Sequence, residues 1–217
     1  MGKQIFKSSL VVAAMTLISR ILGFVRDMLI ARLFGVDLAT DAFFVAFKIP
    51  NFLRRLFVEG AFAHAFVPVL SDYKENASHG ALKQFIDKTA GTFMGILMAI
   101  TLFAMVTASV LVLVVAPGFA WSGEQHDLAV ILLQISLPYL FFIGFVAFSG
   151  SVLNANERFS IPALTPVLLN ITMIATAIWL APMLDQPVKA LAWGVFAGGL
   201  LQCLFQIPAL MRIGLLL

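Results

Sequence analysis

The sequence predicts an all-α integral membrane protein with six transmembrane helices, and three observations carry that prediction. The 217 residues are 61% hydrophobic and only 12% charged. That is about half the charged share of a soluble globular domain, too little to cover a water-facing surface. Several apolar runs exceed the roughly 20 residues that cross a bilayer. Runs such as Val110–Val115 do not alternate polar with apolar residues, as barrel strands would. Hydrocarbon offers no partner to a free backbone group, so these segments are helical.

Segment one covers about Ile5–Phe34. Its apolar stretch is too long for a cleaved signal peptide, and Arg20 and Arg26 interrupt it. Segment two covers about Ala39–Leu70, and the longest polar stretch, Ser71–Lys83, follows it. Segment three, about Leu82–Ala116, ends at Pro117-Gly118. Segment four is about Leu128–Asn154 and segment five about Leu164–Leu180. Pro182 and Pro187 bracket the link to segment six, about Val188–Met211. Pro138, Pro162 and Pro166 read as kinks or helix starts. Gly194 and Gly198 have the spacing that lets helices approach closely. Trp121, Trp179 and Trp193 read as anchors at the membrane interface.

Basic residues set the orientation. Lys3, Lys7, Lys74, Lys83, Lys88, Arg158 and Arg212 flank one side, and Lys189 alone flanks the other. The richer side is placed in the cytoplasm, which puts the N-terminus there. The chain stops at Leu215-Leu216-Leu217 without a polar tail, which reads as an interrupted sequence.

Several chemistries find no support. Cys203 has no second cysteine to bond and reads as packing. His64, His79 and His126 are scattered, with no metal-ligand spacing. A Gly-rich phosphate loop is lacking, and no basic stretch is interleaved with exposed aromatics, against nucleic-acid binding. No metal, cofactor or catalytic residue is expected. Asn76-Ala77-Ser78 matches a glycosylation sequon but falls on the cytoplasmic side.

Of the fourteen basic residues, eight flank the segments. The other six are Arg20, Arg26, Arg32, Lys48, Arg54 and Arg55, all within segments one and two, together with Asp27, Asp41 and Glu59. Facing lipid, nine such groups would cost on the order of 20–30 kcal/mol. Arg32 and Glu59 sit near the ends and can snorkel; the central groups must face protein or a wet cavity. Asp41, Lys48 and Arg55 are seven apart and drift only about 20° per step. They form one polar stripe, with Asn51 near it and Glu59 one turn beyond Arg55. Phenylalanines 43, 44, 47, 52 and 57 cover much of the remaining surface. Arg54 lies about 100° off the stripe, unless a kink at Pro50 re-aims it. In segment one, Arg20 and Asp27 share a face; Arg26 joins it only if the helix breaks, for which Gly23 is placed.

Arg26–Asp27, Arg55–Glu59 and Arg20–Asp41 are the available internal ion pairs. Six cations against three anions still leave an excess. Guanidinium stays charged and makes paired hydrogen bonds to phosphate oxygens, so a phosphate-bearing or other anionic substrate would complete the balance.

The stretch Ser19-Arg20-Ile21-Leu22-Gly23-Phe24-Val25-Arg26-Asp27 resembles the start of MurJ (MviN) proteins, the lipid II flippases of bacterial cell-wall synthesis. The likeness continues through Ala39-Thr40-Asp41-Ala42-Phe43-Phe44-Val45-Ala46-Phe47-Lys48, Pro50-Asn51-Phe52-Leu53-Arg54-Arg55, Glu59-Gly60-Ala61-Phe62 and Ala65-Phe66-Val67-Pro68. Asn156-Glu157-Arg158-Phe159-Ser160-Ile161-Pro162-Ala163 and Leu168-Leu169-Asn170 extend it. The resemblance implies an exporter of the multidrug/oligosaccharidyl-lipid/polysaccharide (MOP) superfamily, with two lobes around a central cavity. Residues 1–217 would form the N-terminal lobe only, with the C-terminal lobe lying outside this chain. Arg20, Arg26 and Arg54 would engage the substrate's diphosphate. Ser19, Asp27, Asp41, Lys48, Asn51, Arg55 and Glu59 would support or gate that site. The implied activity is lipid II translocation across the bacterial inner membrane by alternating access, with no catalysis. Lipid II, membrane lipids and cell-wall synthesis proteins would be the partners. Three other readings stay open: a MOP-type exporter of another lipid-linked oligosaccharide or a drug, a membrane enzyme acting on polyprenyl phosphates, and a non-transporting scaffold.

Overall fold

A computed structural model of the chain describes residues 2–56, 62–121 and 123–214. Phe57, Glu59, Gly60 and Ala61 lie outside the described residues, as does the Arg55–Glu59 pair. Among the described residues the structure is helical, with nine α-helices: α1 (Gly2–Phe34), α2 (Leu38–Leu53), α3 (Ala63–Asn76), α4 (His79–Val106), α5 (Ala108–Val115), α6 (Gly123–Ser136), α7 (Pro138–Ala155), α8 (Ser160–Ala175) and α9 (Lys189–Arg212).

Several segments expected as single helices are divided, each for a local reason. α4 and α5 meet at Thr107, whose hydroxyl donates to Phe103 O at 2.8 Å; such back-bonding competes with the helical ladder and bends it. α6 and α7 meet at Leu137, just before Pro138, which takes the first position of α7. Proline has no N–H to give and clashes with the carbonyl four residues back, so a helix restarts there. α8 runs on through a π-helical turn, Thr176–Leu180, and a short 3-10 turn, Ala181–Met183. Pro117-Gly118 opens a 3-10 turn that ends at Trp121. Segment two changes most: α2 passes unbroken through Pro50 and opens into a π turn at residues 54–56, and α3 begins at Ala63.

Among the described residues, four helical stretches are long and apolar enough to cross a membrane: His79–Val106, Gly123–Ala155, Ser160–Met183 and Lys189–Arg212. α1, which holds Arg20, Arg26 and Arg32, and the α2–α3 pair, between which Arg54 and Arg55 fall, are not among them. Along α4 and α5, Ile96, Leu102, Phe103, Val106, Val110 and Val114 are exposed. A run of that kind suits hydrocarbon rather than water. Trp179 and Trp193 are exposed as well, while the side chain of Trp121 lies outside the description.

Small residues set the tightest packing. A Cβ at Gly198 would lie 2.6 Å from both Leu169 Cδ1 and Thr172 Oγ1, and one at Gly194 would crowd Met173 Cα at 3.1 Å. α9 therefore lies directly on α8, and the falling partner numbers show that the two run antiparallel. The Gly194–Gly198 spacing serves close packing, as expected. α2 lays Ala42, Phe43, Ala46 and Ile49 into a core with Leu132 and Leu133 of α6 and Leu191 and Val195 of α9. A second core joins Phe66 and Leu70 of α3 to Ile86, Phe148, Val152 and Leu210. Phe62 stacks on Phe93 there with ring centroids 3.9 Å apart.

Candidate anion-binding face

α1 is unbroken through Gly23, so the break that would bring Arg26 onto the face of Arg20 and Asp27 does not occur. Two faces result instead. Ser19, Gly23, Arg26 and Ile30, spaced three and four apart, turn inward and are at least half-buried or buried, whereas Arg20, Phe24 and Asp27 are exposed. The inward stripe meets α8. Asn170 of α8 is 6% exposed and lies against Gly23, where a Cβ would stand 3.8 Å from its Nδ2.

Both ends of that buried amide are bonded. Its Nδ2 donates to Ser19 O at 3.0 Å, and its Oδ1 accepts from Arg26 Nη1 at 3.0 Å. Arg26 Nε and Nη2 both donate to Asp27 Oδ1, at 2.9 and 2.8 Å. Met173 Sδ lies 3.9 Å from Nη1. The Arg26 side chain is 23% exposed and that of Asp27 64%. Arg26 is thus held on two sides and still reaches the open face through its carboxylate partner. Arg20 makes no ion pair or side-chain hydrogen bond among the described residues, so the Arg20–Asp41 pair is not formed.

α2 begins at Asp37, whose carboxylate accepts from Leu38 N at 2.7 Å, a helix-starting cap. Its inward face is Thr40, Ala42, Phe43, Ala46, Ile49 and Pro50. Asp41, Lys48 and Arg55 are exposed on the opposite side, beside the exposed Phe44 and Phe52. Arg54 is half-buried, and its Nε and Nη2 donate to Asn51 Oδ1 at 3.2 and 2.9 Å. It is the first residue of the π turn. A π turn adds a residue to the helical repeat and rotates the residues after it. The N–H of Arg54 still bonds to Pro50 O, so Arg54 keeps the α-helical register and stands off the exposed stripe, where the helical wheel places it.

The surface depressions along this side are shallow. One is lined by Val25, Met28, Leu29, Ala31 and Arg32, another by Asp37, Leu38, Glu124 and Gln125 at the head of α2. Arg20 and Arg55 are exposed, whereas Arg26 and Arg54 are half-buried. Among the described residues no group of three histidines, cysteines or acids is placed to hold a metal. One partner of the face, Asn170, is not among the site residues expected from sequence. Its signal was a lone amide in an otherwise apolar segment, a residue that is costly to bury without hydrogen bonds.

A helical bundle with four stretches long and apolar enough to cross a bilayer among its described residues defines a polytopic membrane protein. Comparison with known proteins makes this specific. The sequence model of the family described as "Lipid II flippase MurJ" matches residues 30–217, and the chain belongs to that family. A Haemophilus influenzae protein named "Probable lipid II flippase MurJ" is 49% identical over 209 residues, 93% of this chain and 41% of the relative. The Burkholderia cenocepacia "Lipid II flippase MurJ" is 44% identical over 210 residues, 97% of this chain and 41% of the relative. A solved structure titled "Lipid II flippase MurJ, inward closed conformation" matches with a TM-score of 0.78 at 33% identity, over 94% of this chain and 42% of that one. The chain thus spans about two fifths of the length of the relatives it matches.

Proposed function

We propose that residues 1–217 form the N-terminal lobe of a two-lobed lipid II flippase of the bacterial inner membrane. The observation that carries this reading is the concentration of cations on α1 and at the C-terminal end of α2, with Arg20 exposed and Arg26 and Arg54 each held by an amide, in a chain of this family. Six crossings follow if α1 and the α2–α3 pair span the bilayer beside the four apolar stretches. The excess of flanking lysine and arginine then sets the N-terminus in the cytoplasm.

Arg20, Arg26 and Arg54 engage the diphosphate of the polyprenyl-linked substrate. Arg20 is exposed and makes no ion pair among the described residues. Asn170 and Asp27 hold Arg26, and Asn51 holds Arg54. A guanidinium whose position is fixed loses less freedom on meeting a phosphate than a free one. Ser19 supports α1 through its carbonyl. Asp27, Asp41, Lys48, Asn51, Arg55 and Glu59 shape or gate the field around the arginines. Transport follows alternating access: the headgroup enters a cavity open to the cytoplasm, the lobes rock, and the headgroup leaves on the far side while the lipid tail stays in hydrocarbon. A ligand shifts such an equilibrium only by binding one state better than the other. Neutralising mutually repelling arginines supplies that difference.

The test is complementation of cells depleted of their own flippase by full-length protein carrying Arg20→Ala, Arg26→Ala or Arg54→Ala. Loss of growth despite normal membrane levels is expected for each. Full growth with all three variants would refute the reading.

A further inference from the structure

A group of polar atoms that includes none of the cations lies between α7, α8 and α9. Ser149 and Gln206 are fully buried, and Gln202 is 2% exposed. Gln202 Nε2 donates to Thr165 O at 2.6 Å. Among the described residues, four buried side-chain atoms have no hydrogen-bond partner: Ser149 Oγ, Gln202 Oε1, Gln206 Oε1 and Gln206 Nε2. Their level in the bundle follows from the packing. α9 runs antiparallel to α8, and α8 to α7, since Gly150 meets Pro162 across the short α7–α8 link. α7 and α9 are therefore parallel. Gly199 of α9 sits beside Tyr139 and Phe142, so Gln206, seven residues on, stands level with Ser149.

An amide buried with both ends unsatisfied is costly, and native interiors meet such groups with ordered water. We propose that Ser149, Gln202 and Gln206 form an internal water site that joins α7 to α9. Each buried water makes about three hydrogen bonds, so about two molecules serve four orphaned atoms. The donor set selects water over a cation. Three neutral oxygens would suit a monovalent cation, but Gln206 Nε2 is a donor and would be left facing a positive charge. Water accepts from that nitrogen and donates to the oxygens. No carboxylate among the named groups offsets an ionic charge.

The test compares thermal unfolding of the purified protein in detergent with that of Gln206→Leu, a change close in size. With water bound, leucine removes its main partner and strands Gln202 and Ser149, so Tm falls by several degrees. A rise in Tm would mean that leucine relieved a dry, unsatisfied amide, and would overturn the proposal. Ser149→Ala combined with Gln206→Leu should cost less than the two single changes added together, because one bridge serves both; strict additivity counts against the site. A map of the native protein that resolves ordered water supplies a readout independent of folding in the variants. Density about 2.7–3.2 Å from Gln206 Nε2 is expected. A direct Gln202–Gln206 bond with no density between the helices, or a sodium-dependent gain in Tm that Gln206→Leu abolishes, would overturn the proposal.

Discussion

Replacing Asn170 by leucine tests whether α8 holds the arginine of α1. Leucine has a similar shape and suits an apolar helix, so the change removes hydrogen bonds with little loss of packing. Two bonds go. The bond from Arg26 Nη1, at 3.0 Å, is assisted by charge, and such bonds contribute about 1.5–3 kcal/mol. The bond to Ser19 O, also 3.0 Å, is neutral and contributes about 0.5–1.5 kcal/mol. Arg26 retains Asp27 and is 23% exposed, so water recovers part of the first term. The apolar side chain recovers a little more. A net loss of about 2 kcal/mol is expected, which lowers Tm by roughly 4–8 °C in a domain of this size. The assay is loss of helical signal on heating the purified protein in detergent. Asn170→Asp separates the two bonds: it keeps an acceptor for Arg26 but sets a carboxylate against Ser19 O. It should neutralise Arg26 and depress transport more than stability. If Asn170→Leu were as stable as the native protein and fully active, the α1–α8 latch would have no role.

Other outcomes rest on the same geometry. Arg26→Lys should fail to restore growth at normal membrane levels, because one ammonium cannot reproduce the paired bonds to Asp27 and the bond to Asn170. Ala46→Leu, at a fully buried position of α2, should force α2 away from α6 and cost about 1–3 kcal/mol, read as a lower Tm. Gly198→Ala should cost a similar amount, since its Cβ would lie 3.3 Å from the Leu169 backbone. Gly80→Ala in the open first turn of α4 meets nothing within 4 Å, so it should be neutral or slightly stabilising and serve as the control.

Much of this was legible in the sequence because hydrocarbon imposes simple constraints. The apolar runs marked where helices lie, and the Gly194–Gly198 spacing marked a close helix contact. Heptad spacing placed Asp41, Lys48 and Arg55 on one face, and all three are exposed together. What stayed hidden depends on tertiary partners. Gly23 suggests a break in α1; the structure keeps the helix straight there beside Asn170, and Arg26 turns inward. The π turn that opens at Arg54 changes the helical repeat for the residues beyond it, and single-sequence periodicity assumes a constant repeat. Divisions at Thr107 and Leu137 are equally local, set by one hydroxyl and one proline inside runs that remain apolar throughout. The role of Asn170 needed a contact between residues 144 positions apart, which no local pattern encodes.

The most direct test of the central claim is binding of lipid II to purified full-length protein, measured by native mass spectrometry against a neutral lipid of equal chain length. The native protein should retain lipid II, and Arg20→Ala, Arg26→Ala and Arg54→Ala should each lose at least tenfold in affinity while still binding the neutral lipid. Equal retention of lipid II by the native protein and all three variants would contradict the assignment of these arginines to the diphosphate.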